Sequence, residues 1–142
     1  MKDTTVYPNI HRFTPSDCIS GKVMKCNRIV ANLFRKHLKP FNITDSQLSI
    51  IFVISKAKNS NQKKISELLY LEKSTVNRNL NRLLQKGVIA YTGKKELTLT
   101  KQGKQLLNAV IPHWEKAMTE IRILLNEDGE NALNLLTKKL TR

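Results

Sequence analysis

A row of hydrogen-bonding side chains recurs at helical spacing between residues 74 and 85. Its members all end in a group that can donate a hydrogen bond, and none of them is acidic: Ser74, Asn77, Arg78, Asn81, Arg82 and Gln85. A solvated helix face usually carries several glutamates, so this composition favours a binding surface. The major groove of B-DNA admits an α-helix, and arginine and asparagine pair bidentately there with guanine and adenine. The row therefore predicts a helix that binds DNA.

The order of these residues along the helix predicts how they share the contacts. Early residues of a recognition helix reach base edges, so Asn77 and Arg78 are the predicted base readers. A helix N-terminus holds phosphate oxygens through its free backbone N–H groups. Phosphate contacts are therefore expected from the residues that open the helix, Lys73, Ser74 and Thr75.

The opposite face of the same segment is apolar and must hold the helix against the rest of the protein. Its members are Val76, Leu80, Leu83 and Leu84. Their spacing of three and four residues is that of one helix face. Ser74 is a typical N-terminal cap and Gly87 a typical left-handed stop. We expect a helix over residues 74–86 that packs on a short helix before it.

A hairpin is predicted directly after this helix. Residues 88–91 and 96–99 are strand-like, and a polar segment that contains a glycine joins them. The tip carries Lys94 and Lys95, which are expected to contact the DNA backbone because lysine acts as a point charge. Lys63, which lies ahead of the short third helix, is a further phosphate candidate.

The N-terminal part of the chain predicts an arm followed by a long helix. Residues 1–13 read as an irregular arm. Thr14 and Pro15 are typical of a helix start, because a hydroxyl can cap and proline fits the first turn. The apolar spacing after them predicts an amphipathic helix of about six turns, which Pro40 ends.

Two further helical regions flank the DNA-binding segment. Thr44 and Gln47 form a capping box for a second helix that is apolar nearly all round, so we expect this helix to be buried. After the hairpin, a long helix is expected over about residues 101–125. Pro112 should kink it because proline removes one backbone hydrogen bond. Residues 126–129 break the pattern before a last helix.

The charge of the chain is unevenly distributed. Its 142 residues carry a formal net charge of +14. Residues 1–55 have a net charge of +5, residues 56–104 of +9 and residues 105–142 of zero. So basic a protein indicates an anionic partner, either nucleic acid or a membrane surface. The concentration of charge in the middle third predicts that the binding surface lies there.

The two cysteines and the N-terminus bear on the cellular location. Cys18 and Cys26 lie eight residues apart on one predicted helix, where they could not easily bridge. We expect a small Cys18 that is buried or half-buried and a Cys26 that lies in the core. The N-terminus lacks the apolar stretch of a signal peptide, and no apolar run of about 18 residues predicts a membrane span. A reducing, cytoplasmic location is expected.

Catalysis is not expected from this sequence. The three histidines are scattered, and none pairs with an acid at metal-ligand spacing. The chain shows no nucleophile with a matching base and no glycine-rich phosphate loop. The sequence therefore predicts no catalytic residue, no metal site and no cofactor.

The ordered set of segments resembles the MarR family of bacterial transcription regulators over about residues 16–140. The matching stretches are NITDSQ at 42–47, ISELL at 65–69, EKSTVNR at 72–78, LLQKGVI at 83–89, LTLTKQG at 97–103 and IPHW at 111–114. Each stretch is weak alone, but their order is specific. The resemblance implies a mainly α fold with a small β-hairpin wing, in which N- and C-terminal dimerisation helices flank a winged helix-turn-helix lobe.

The resemblance also implies a division of labour within a single domain of residues 1–142. Residues 1–40 and 105–142 would form the interface of an obligate homodimer, and residues 44–104 the DNA-binding lobe. A neutral C-terminal third suits burial between subunits better than contact with DNA. A pseudo-palindromic operator is the implied target, and a small-molecule effector site would lie between the interface and the lobe.

The wing departs from the family pattern and leaves a second function open. The family's wing is longer and carries an Asp-Arg pair near its tip, whereas here only Lys94 and Lys95 are present. The expected function is a sequence-specific regulator, a repressor released by a small ligand. The alternative is an architectural DNA-binding protein of low specificity with the same fold. Docking on an anionic membrane is a third class, but the apolar stripes are better explained as core.

Overall fold

The computed structural model describes residues 1–141; Arg142, the last residue of the predicted dimerisation range, lies outside the described residues. Single 3-10 turns occur at Pro15–Asp17 and Lys39–Phe41. The helices are α1 (Pro8–Arg12), α2 (Ile19–Leu38), α3 (Asp45–Lys56), α4 (Gln62–Leu69), α5 (Lys73–Gln85) and α6 (Lys101–Leu140), and the strands are β1 (Ile89–Thr92) and β2 (Glu96–Leu99). The predicted fold class, mainly α with one small β-hairpin, is confirmed.

The start of the first long helix differs from the prediction. Thr14 makes no capping hydrogen bond, and Pro15 opens only a single 3-10 turn. Helix α2 begins at Ile19, and the sulfur of Cys18 accepts a hydrogen bond from the Gly21 backbone N–H at 3.4 Å. The prediction of a helix start at Thr14 is therefore wrong. The arm before it is also not wholly irregular, because it contains α1.

Helix α3 forms the centre of the core, as its apolar sequence predicts. The capping box is confirmed: the Thr44 hydroxyl accepts from the Gln47 backbone N–H at 3.2 Å, and the Gln47 side chain accepts from the Thr44 backbone N–H at 3.3 Å. The buried residues of α3 are Gln47, Leu48, Ile50, Ile51 and Ile54. Ile65 of α4 and the apolar face of α5 complete the same cluster.

Asp45, the first residue of α3, is half-buried. Its removal from water raises the pKa of the carboxyl above the ordinary 3.8, and the positive charge of Arg35 opposes that rise only in part. The folded protein therefore holds this proton more tightly than the unfolded chain does.

Helix α6 is broken once, but not at its proline. Pro112 lies inside the helix, and the residue with non-helical backbone angles is Asn126, at φ 56°. The break predicted after residue 125 is therefore confirmed, whereas the kink at Pro112 stays a prediction, because a proline can bend a helix while its backbone angles remain helical. Arg122 donates to Glu130 across the break at 3.1 Å. Neither α6 nor any other helix described over residues 1–141 is long and apolar enough to cross a membrane.

Burial is confined to the middle of the chain. Within the described residues, the first buried side chain is Leu38 and the last is Ile121. Cys26 is exposed, so its predicted place in the core is wrong, and Cys18 is exposed as well. The outer segments expose many large apolar side chains, among them Val6, Ile10, Phe13, Ile19, Val23, Met24, Ile123, Leu124, Leu133, Leu135, Leu136 and Leu140.

A close backbone contact joins α6 to the segment between α5 and β1. A Cβ added to Gly103 would overlap the Val88 carbonyl oxygen, so no side chain fits there. We expect Gly103→Ala to lower the free energy of unfolding by about 1–3 kcal/mol or more, because backbone must shift. Urea unfolding followed by circular dichroism measures this. Gly21→Ala is the matched control: its Cβ would lie 3.6 Å from that of Cys18, an ordinary contact.

The control should be neutral or raise the free energy of unfolding by up to ~1 kcal/mol, since alanine favours helix over glycine. Equal stability of Gly103→Ala and the wild type would show that α6 can move away from Val88 without cost.

The pKa of Asp45 predicts a pH-dependent effect of Asp45→Asn on stability. The wild-type protein loses stability as the pH rises from 3.8 to the raised folded pKa, because the folded state binds the Asp45 proton more tightly. Asparagine does not titrate, so the free energy of unfolding of the variant, relative to wild type, should increase with pH across this interval. Urea unfolding between about pH 4 and pH 7 measures the difference. A difference that decreases with pH would mean that ionised Asp45 stabilises the fold.

Candidate nucleic-acid interface

The polar row predicted on α5 lies on the protein surface. All six of its members, from Ser74 to Gln85, are exposed. On the opposite face, Val76, Leu80 and Leu83 are at most 1% exposed and pack into the core. Leu84, the fourth predicted member of that face, is half-buried. Helix α5 ends at Gln85, and Gly87 has a φ of +72°, as the predicted left-handed stop requires.

A neighbouring side chain holds Arg78, one of the two predicted base readers. Arg78 donates from Nη2 to the hydroxyl of Thr75 at 3.2 Å, which holds the guanidinium along the helix surface. Asn79 is buried and donates to the Thr75 carbonyl at 3.1 Å. Thr75 is itself half-buried. It is therefore placed to position Arg78 in addition to the phosphate contact expected from it.

The start of α5 differs from the prediction in one respect. Ser74 does not cap the helix, because α5 already begins at Lys73 and Glu72 occupies the capping position without a side-chain capping bond. The Ser74 hydroxyl is instead exposed in the first turn. Glu72 is an acid where phosphate is expected. The sequence shows Glu72 directly before Lys73, but only the observed start of α5 shows that Glu72 occupies the capping position.

A groove of about 490 Å³ brings four of the predicted lysines together. Its described lining contains no acid and consists of Asn61, Gln62, Lys63, Lys73, Tyr91, Lys94 and Lys95. Gln62 donates to the Lys73 carbonyl at 3.2 Å and so joins the starts of α4 and α5. Lys63 lies inside the first turn of α4 rather than ahead of that helix. A concave surface with four positive charges attracts anions.

The wing is fixed to the lobe at both ends. Strands β1 and β2 pair antiparallel with Thr92 opposite Glu96, which leaves a tight three-residue turn that holds Gly93 at φ +69°. The Leu97 backbone N–H donates to the carbonyl of the buried Ser60 at 2.7 Å. Tyr91, which lies beside the lysines in the groove, was not predicted from the sequence. The alternation of side chains between the two faces of strand β1 was the sequence signal for an exposed Tyr91. It does not indicate which residues lie beside the exposed face.

A second concave surface lies between α2, α3 and α6. It encloses about 250 Å³, and its aromatic residues are Phe34, Phe52 and Trp114. Asn27, Asp45 and Ser49 are its polar residues. The Phe52 and Trp114 rings meet edge to face with centroids 5.6 Å apart. The residues that line this cavity were not predicted from the sequence.

Two contacts tie the surroundings of this cavity together. His37 of α2 and Glu120 of α6 lie 2.9 Å apart, from Nε2 to Oε1. The rings of Phe41 and His113 pack edge to face at 4.8 Å. No group of three or more His, Cys, Asp or Glu side chains in the part of the chain that the structure describes could hold a metal ion.

Proteins of known structure share this architecture. No curated protein matches the sequence. Many solved structures share the fold, among them CouR, MosR and BpsR. CouR of Rhodococcus jostii RHA1, a transcriptional repressor, is 20% identical, with a TM-score of 0.81 over 89% of this chain and 94% of that chain. The M. tuberculosis transcriptional regulator MosR is 19% identical, with a TM-score of 0.77 over 89% and 96%.

BpsR of Bordetella bronchiseptica is 18% identical, with a TM-score of 0.80 over 91% and 97% of the two chains. At these identities the structural likeness establishes the fold. The family model that matches the sequence is that of the MarR family, and it covers residues 41–94, from the turn before α3 to the tip of the wing. Residues 41–94 of this chain therefore match the MarR family model, and the chain as a whole shares the fold of the transcriptional regulators MosR and CouR.

Proposed function

We propose that this chain is a sequence-specific transcriptional repressor that acts as a homodimer on a pseudo-palindromic operator. The observation that carries the proposal is the exposed, acid-free face of α5 beside a groove of four lysines. A face of this composition suits base edges in the major groove, and the groove suits the adjoining phosphates. Since the proposed ligand is an operator, we also propose the cytoplasm as the location.

The arrangement of the wing supports a backbone contact. Lys94 and Lys95 line the same groove as Lys63 and Lys73, so the wing tip adds charge to the phosphate surface. Lysine lacks the planar fork that suits bidentate pairing. One structure of CouR, with a TM-score of 0.79 to this chain, is bound to a 23-mer DNA duplex, which supports DNA as the ligand of the shared fold.

The exposed apolar ends support a homodimer. A monomeric soluble protein rarely exposes so many large apolar side chains in contiguous segments. Both ends of the chain do so here, through α1, the first half of α2 and the end of α6. A second copy that covers these ends would place two reading helices on one duplex, as two-fold operators require.

A small ligand is part of the proposal as the signal that releases DNA. CouR has been solved with bound p-coumaroyl-CoA, and the BpsR structure concerns regulation of its DNA binding by 6-hydroxynicotinic acid. In this chain the cavity between α2, α3 and α6 is the candidate effector site, because it joins the proposed dimerisation helices to the lobe.

A low-specificity architectural protein is the second candidate function, and the four-lysine groove favours it. Both candidates bind DNA less tightly as salt rises, because each phosphate contact releases counterions. Only the repressor should prefer one duplex by about 10³-fold or more. Selection of bound duplexes from a random pool tests this preference and gives the half-site spacing.

Two substitutions should separate base reading from phosphate binding on the selected duplex. Arg78→Ala should cost about 1–3 kcal/mol on the preferred site and relax discrimination at one base position. Lys94→Ala should weaken binding nearly equally for all duplexes and reduce the salt slope by about 1. Fluorescence anisotropy titrations at several salt concentrations measure both effects.

Lys56→Ala is the control, since it removes an exposed positive charge of α3 that lies outside the α5 face, the four-lysine groove and the exposed apolar ends of the chain. It should change duplex affinity little. If Arg78→Ala weakens all duplexes equally, Arg78 is a phosphate contact, and if no duplex is preferred at all, the architectural function is correct.

The proposed homodimer predicts the mass of the protein in solution and predicts that substitutions in the interface reduce it to the mass of the monomer. Light scattering at micromolar concentration should give twice the mass of the chain. Placing charges on the exposed apolar end of α6, with Leu133→Glu and Leu136→Glu together, should shift the protein to monomer, because buried charge is costly. Leu68→Glu, at an exposed leucine of α4, should stay dimeric. A monomeric wild-type protein would exclude the homodimer.

A further inference from the structure

The cavity between α2, α3 and α6 has a charge opposite to that of the protein around it. The chain has 25 lysines and arginines against 11 acids. Yet the only ionisable side chain among the described residues that line this cavity is Asp45. Both other polar groups of the lining, on Asn27 and Ser49, are neutral. An anionic ligand would therefore meet a carboxylate and no matching cation in the wall.

The remaining lining favours a flat, electron-poor or cationic guest. Phe34, Phe52 and Trp114 contribute three aromatic rings. Because Phe52 and Trp114 meet edge to face at 78°, they present differently oriented surfaces to the cavity. Cations are attracted to the faces of aromatic rings, most strongly to tryptophan. Aromatic guests also pack well on such walls.

We propose that this cavity binds a small aromatic molecule that carries a protonated amine, with the ammonium at Asp45 and the ring against Phe52 and Trp114. A volume of about 250 Å³ lies just below the usual range for ligand sites, about 300–1,000 Å³, which suits a small guest with a single ring. The inference names the ligand class of the proposed effector site and so rests on the proposed function.

The position of Asp45 explains why a cation would be retained. Burial raises the pKa of this carboxyl, which shows that the charged form lacks part of its solvation. The positive charge of Arg35 opposes that rise of the pKa only in part, and Arg35 is not among the lining residues. Its guanidinium is engaged by Asn32, at 2.7 Å from Nη1 to Oδ1. An ammonium in the cavity supplies the close counter-ion that the carboxylate lacks.

The experiment compares ligands of one shape and different charge on the full chain without DNA. Trp114 is the only tryptophan, so its fluorescence reports occupation of the cavity directly. The probes are phenethylamine, the isosteric anion phenylpropionate and neutral phenethyl alcohol. At neutral pH we expect phenethylamine to bind roughly tenfold or more tightly than phenylpropionate, with the alcohol between them. Isothermal titration calorimetry provides the second readout.

Variants assign the preference to Asp45. Asp45→Asn keeps the Thr44–Gln47 capping box and should abolish the advantage of the amine over the alcohol. Glu67→Gln removes one negative charge from the exposed face of α4, and this variant should retain the advantage of the amine over the alcohol. Ala31→Leu fills the cavity from α2 and should weaken all three ligands.

The wild-type comparison decides the inference even if a variant does not fold. Equal affinity for amine and carboxylate, or tighter binding of the carboxylate, would overturn it. An amine preference that persists in Asp45→Asn would overturn the role of the carboxylate. Since the assay contains no DNA, loss of duplex binding and loss of amine binding are separate results, and failure of the proposed repressor function leaves this test valid.

Discussion

Burial of one face of α5 is the constraint on which the DNA-binding surface depends. Val76, Leu80 and Leu83 are almost completely removed from solvent, and burying each side chain contributes roughly 1.5–3 kcal/mol. With 3.6 residues per turn, a helix that buries this face must expose the opposite one. The outward position of Asn77 and Arg78 thus follows from core packing and requires no bound DNA.

Features of the fold that depend on neighbouring residues were predictable. The Thr44–Gln47 capping box, the stop at Gly87 and the hairpin each rest on contacts within a few residues along the chain. The exposed face of α5 was predictable as well, because helical periodicity carries it. In each case a local physical preference and the tertiary structure agree, as expected for a sequence with little frustration.

Features that depend on tertiary contacts were not predictable. Thr14 and Cys18 can both accept a capping hydrogen bond, and in the folded chain only Cys18 does so. The convergence of Lys63 with Lys94 needs the strand contact at Ser60. Cys26 shows the limit most clearly, because its apolar spacing predicts a core position that a single chain does not provide. Amphipathic periodicity indicates that a face is covered, but not by which chain.

Burial that begins at Leu38 and ends at Ile121 divides the chain into regions of unequal local stability. Amide hydrogens exchange slowly where opening requires the core to unfold, and quickly where a helix can fray without exposing buried surface. In an isolated protomer the first half of α2 and the segment after Asn126 are of the second kind. In the proposed homodimer, association would protect both ends, so their order would depend on protein concentration while that of the lobe would not.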